Sequence, residues 1–133
     1  MAGEVAFAGL NASIVLGGVI APGTVVAAGT SPFQRVYIGD AGKVEVNLTS
    51  ANFSATVTHK INLYGVFPPH RMSGDLGLRT SAPLASATIV STFTTLSAVT
   101  YQFQMVDVEI AATASSPVTI AGAVIVGTGG PST

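Results

Sequence analysis

The chain has 133 residues, the size of one ordinary domain, and it contains no cysteine, which excludes disulfide frameworks, zinc–thiolate sites and thiol nucleophiles. Only 8% of its residues are charged and the net charge is −1, against a charged fraction of about 25% in an average soluble domain, so no basic field exists to gather phosphates and nucleic acid is not an expected partner. An apolar content of 48% argues against disorder, and a near-neutral surface of this kind promotes association with other chains.

Along the chain, Met1-Ala2-Gly3-Glu4 puts an acidic residue before the first apolar run, where a signal peptide would carry Lys or Arg. Residues 12–29 are the most continuous apolar stretch, but Gly17-Gly18 and Pro22-Gly23 interrupt it. A membrane helix needs about 20 largely unbroken apolar residues. Two buried strands, 13–20 and 24–29, joined by a Pro-Gly turn are expected instead, and no membrane partner. A strand at 33–38 follows. Residues 43–48 then alternate, with Val44, Val46 and Leu48 on one face and Lys43, Glu45 and Asn47 on the other. Residues 53–63 sustain the same period of two for longer, with Phe53, Ala55, Val57, His59, Ile61 and Leu63 sharing one face. Such alternation places one face of a strand on a core and the other toward water or a partner.

Strands are also expected at 84–95, 99–110 and 117–126. Within 99–110 the apolar series changes phase, from Val99, Tyr101, Phe103 and Met105 to Val106, Val108 and Ile110. A β-bulge or a bend that switches sheets near Met105-Val106 would restore the register. No segment sustains a helical period, and Thr-rich stretches such as Thr92-Phe93-Thr94-Thr95 are poor helix formers. The reading is an all-β fold: an antiparallel β-sandwich, jelly-roll-like, of about eight strands. It forms one domain over 1–126, with 127–133 as a flexible tail.

One connection stands out. Residues 65–83 are long for a loop in a compact domain, and such loops are usually functional or mobile. Phe67, Met72, Leu76 and Leu78 supply apolar groups, and His70, Arg71, Asp75 and Arg79 supply polar and ionic ones. An apolar centre with an ionic rim suits a protein interface, and Pro68-Pro69 stiffens one end, which lowers the ordering cost of binding. These eight residues are the expected contact element, with Arg71 and Asp75 forming an ion pair inside the loop.

Catalytic motifs are missing. The sequence has no P-loop, no G-x-G-x-x-G after a strand, no H-E-x-x-H and no G-x-S-x-G. Only His59 and His70 could serve a triad as base. His59, on the apolar face of its strand, reads as a packed core or interface histidine bonded to a neighbour. Asp107 and Glu109 share a strand face, roughly 7 Å apart if extended. Without Trp and with only three Tyr, they suit a solvated face or an inter-subunit salt bridge better than a glycosidase or calcium site. No catalytic residue, cofactor or metal is expected.

An apolar start (Val5-Ala6-Phe7-Ala8-Gly9-Leu10), a sandwich-like middle and an end in Gly-Gly-Pro-Ser-Thr give the chain a general character that resembles the decoration (cement) and minor structural proteins of bacteriophage and other virions. That resemblance implies a non-enzymatic, homo-oligomeric protein, typically a trimer, that binds a major capsid or other assembly protein and reinforces a shell in the virion. Two other readings stand beside it. One is an extracellular or cell-surface filament subunit. The other is a small carbohydrate- or peptide-binding module that uses the 65–83 loop.

Overall fold

A computed structural model describes residues 4–6, 12–17, 20–39, 41–52, 59–67, 79–89, 93–113 and 115–129. Among them are ten strands and no α-helix: β1 (Glu4–Ala6), β2 (Ala12–Val15), β3 (Val25–Val26), β4 (Phe33–Tyr37), β5 (Lys43–Asn52), β6 (His59–Val66), β7 (Ala85–Ile89), β8 (Phe93–Val99), β9 (Met105–Ala111) and β10 (Val118–Thr128). No helix of the described residues is long and apolar enough to cross a membrane.

The strands form two sheets. The first has the order β1-β4-β9-β6-β7; the second has β2-β10-β5-β8, with β3 also on β10. Every neighbour pair is antiparallel except β1 with β4, which run parallel. One ribbon accounts for this order. Starting from its tip, β6 pairs β7, β5 pairs β8, β4 pairs β9, and β2 and β3 pair β10, with successive pairs falling in alternate sheets. Rolling the ribbon then sets β9 beside β6 and β10 beside β5.

One core lies between the sheets and draws on both. Val36, Ile61, Leu63, Val106, Val108 and Ile110 of the first sheet are fully buried, as are Val44, Val46, Val118, Ile120 and Ile125 of the second. The expected alternation on β5 holds: Val44, Val46 and Leu48 point inward while Lys43 and Glu45 are exposed. On β6, Ile61 and Leu63 point inward with His59, as their shared face requires. The earlier part of that expected strand, 53–58, lies outside the described residues.

The turn expected at Pro22-Gly23 is present. Thr24 N–H closes onto the Ala21 carbonyl at 3.0 Å, and Gly23 has φ +90°, the left-handed value that a type II turn needs at its third residue. Only Val25–Val26 of the expected 24–29 strand pairs, because the chain turns again at once: Thr30 N–H and Oγ1 both donate to the Ala27 carbonyl.

Two expected strands are divided. Residues 84–95 hold the end-to-end pair β7 and β8, one in each sheet. With β1 added, this raises the expected eight strands to ten. Residues 99–110 are likewise not one strand. β8 ends at Val99, and the chain turns through Tyr101 and Gln102 before β9 begins at Met105 in the other sheet. The change of phase in the sequence is therefore a switch of sheets made by a turn, with Phe103 N–H closing onto the Thr100 carbonyl at 3.0 Å. An irregularity occurs in β10 instead, where the register with β5 shifts around Ile120. The extra residue moves the buried series from Val118 and Ile120 to Ala123 and Ile125. Gly127 and Thr128, expected in the tail, close β10 opposite Val44 and Lys43, because strand pairing satisfies their backbone groups.

Candidate functional site

The outer face of the first sheet gathers most of the ionic groups the structure brings together. Register decides this: Arg35 of β4 and Tyr64 of β6 both lie opposite Asp107 of β9, while Phe33 and Asn62 lie opposite Glu109. Arg35 donates from Nε to Asp107 Oδ1 at 2.8 Å and from Nη2 to Oδ2 at 3.1 Å, the two-pronged geometry that suits guanidinium and carboxylate. Arg79, bridged to Val66 outside the named strands, reaches the same carboxylate. Its Nη2 donates to Asp107 Oδ2 at 2.9 Å and its Nε at 3.2 Å, while Nη1 donates to Glu109 Oε2 at 3.1 Å. Asn62 Nδ2 donates to Glu109 Oε1, and Ser86 Oγ donates to Asn62 Oδ1. The network thus crosses four strands, β4, β9, β6 and β7.

Two aromatic rings complete it. The Arg79 guanidinium carbon sits 4.8 Å from the centre of the Phe33 ring and 4.4 Å from that of Tyr64, distances at which the ring quadrupole attracts a cation. The side chain of Asp107 is wholly inaccessible although it lies on the outer face, since the arginines cover it. Asp107 and Glu109 are therefore not a solvated strand face: all four of their oxygens accept from donors of the same chain. Sequence reasoning found the carboxylates as a same-face pair. It missed Arg35 and Asn62, because nothing local indicates which strands flank β9.

Of the eight expected contact residues, the structure places Phe67 and Arg79; His70, Arg71, Met72, Asp75, Leu76 and Leu78 lie outside the described residues, as does the expected Arg71–Asp75 pair. Arg79 is committed to the network rather than presented as an ionic rim. Phe67 is 47% exposed, and its ring is 5.3 Å from that of Phe103 at 55°. These two rings, with Leu84, Val99, Tyr101 and Gln102, line a half-open cleft of about 500 Å³. Phe103 reaches its position because Gly65 has no side chain: a Cβ there would stand 2.6–2.7 Å from the ring.

His59 is fully buried, as its strand face predicts. Its Nδ1 accepts from Thr113 N–H at 3.1 Å, which leaves the proton of the neutral ring on Nε2, and Nε2 has no partner among the described residues. No group of three His, Cys, Asp or Glu that could hold a metal occurs among the described residues. The chain matches no known family model, and no curated protein matches its sequence.

Proposed function

We propose that this protein is a non-enzymatic structural subunit that associates with itself and reinforces a larger shell, in the manner of virion decoration or minor capsid proteins. The observation that carries this reading is where the charge goes. Of five basic and six acidic residues in the chain, Arg35, Arg79, Asp107 and Glu109 neutralise one another on a single face. Among the described residues, much of the remaining surface is uncharged, and large apolar groups stand on it: Val15, Val25, Phe93, Val99 and Tyr101 are each 59–69% exposed. Exposed apolar surface without charge favours stable contacts between chains.

The strand order supports the same reading. We read this ribbon, whose successive pairs alternate between two sheets, as a jelly-roll winding, a type that recurs in capsid proteins as well as in lectins and cupins. The deciding experiment is the mass in solution, by sedimentation across a range of concentration, followed by electron microscopy of the particle with which the protein copurifies. A multiple of 13.3 kDa supports the proposal. A monomer at every concentration that decorates no particle refutes it. A second reading, a small binding module, is favoured by the aromatic cleft of Phe67, Tyr101 and Phe103, since ligand sites are concave and mostly apolar; a monomer that retains a small ligand would establish it.

A further inference from the structure

We propose that two copies of this chain pair antiparallel through the outer edge of β8, about a two-fold axis at Leu96, so that their second sheets become one continuous sheet. The inference rests on the self-association proposed above and names the contact.

β8 is the last strand of its sheet: it pairs with β5 on one side, and among the described residues no strand pairs with its other side. An exposed strand edge is a template for another chain, and monomeric proteins guard it by shortness, charge, proline or a bulge. The two edges at the far side are guarded by shortness, β1 having three residues and β2 four. β8 has none of these devices. It runs for seven residues, Phe-Thr-Thr-Leu-Ser-Ala-Val, without charge, proline or glycine, and its register with β5 is unbroken. The neighbouring edge strand of the first sheet, β7, lies against β8 and reads Ala-Ser-Ala-Thr-Ile, also uncharged. Among the described residues, the edges on this side of the sandwich therefore lack the features that keep edges apart.

The sequence of β8 also fits itself. With the axis at Leu96, residues whose numbers average 96 face one another. On the exposed face, Phe93 meets Val99 of the second copy and Thr95 meets Ser97. On the inner face, Thr94 meets Ala98 and Leu96 meets its own equivalent. Aromatic with β-branched and Thr with Ser are among the favourable antiparallel pairs. The match is reciprocal, as a two-fold contact requires. A seven-residue edge buries less surface than most stable interfaces, so the pair should form and separate with concentration.

Charge substitutions at the exposed positions Thr95 and Ser97 test this without disturbing the core. The double variant Thr95→Lys/Ser97→Lys sets Lys opposite Lys twice and should weaken the dimer roughly tenfold or more. Thr95→Glu/Ser97→Glu should do the same, and mixing the two variants should restore pairing as a mixed dimer of Lys and Glu chains. Hydrogen exchange of the unaltered protein gives an independent readout: amides across 93–99 should all be protected when concentrated, and alternate ones should lose protection on dilution. Unchanged association of either variant overturns the edge contact, as does rapid exchange of alternate β8 amides in the associated protein. A trimer with such exchange keeps the assembly reading and refutes only this contact, whereas a monomer at all concentrations refutes both.

Discussion

Replacing Asp107 with alanine removes the acceptor that holds two arginines on the outer face of the first sheet. Asp107 is fully buried and takes four N–H donors at 2.8–3.2 Å, two from Arg35 and two from Arg79. Breaking a buried ion pair from one side costs about 3–5 kcal/mol, because the abandoned charge keeps its desolvation penalty. Here the abandoned charges regain some water: the side chains of Arg35 and Arg79 are 16% and 29% accessible, and Arg79 retains Glu109. The lower end applies, about 3 kcal/mol. For a domain of this size that corresponds to a fall in melting temperature of roughly 10 °C. Glu109→Gln, which disturbs one bond to Arg79 and keeps an acceptor, should cost about 1 kcal/mol. Urea unfolding at low and high salt measures both, and the Asp107→Ala loss should persist in high salt, because screening acts weakly on buried pairs. A loss below about 1 kcal/mol with unchanged m-value, or one that vanishes in salt, would show that the network behaves as an exposed surface cluster.

The remaining predictions concern single positions and the long loop. His59→Phe should destabilise by about 1–3 kcal/mol, more than His59→Gln, because only glutamine can still accept from Thr113 N–H; equal losses in thermal melting would remove that bond from the account. Gly65→Ala should cost about 1–3 kcal/mol by overpacking, and Phe103→Leu should recover part of it; additive losses in the double variant would place the clash elsewhere. Replacing residues 68–78 with a Gly-Ser linker, Phe67 and Arg79 retained, should leave melting within a few degrees and weaken assembly. If assembly by light scattering is unchanged, the loop is a connection and not a contact element.

What the sequence alone determined about this protein is what one strand knows of itself. Alternation of side chains is a property of the extended backbone, so 43–48 and 59–63 declared their buried faces, and His59 declared its own, before any partner strand was known. Turn chemistry is equally local, and Ala21-Pro22-Gly23-Thr24 gave its turn away. The change of phase between Val99 and Val106 was legible as a disruption but not as a turn, because a bulge and a crossing to the other sheet leave the same mark on the pattern of apolar residues. Tertiary structure decided everything that depends on which strands meet. Arg35 and Asp107 are 72 residues apart, Arg79 and Asp107 28, and Asn62 and Glu109 47. No local signal joins them, and the pairing of β9 between β4 and β6 is what converts two carboxylates on a strand face into the centre of a closed ionic network.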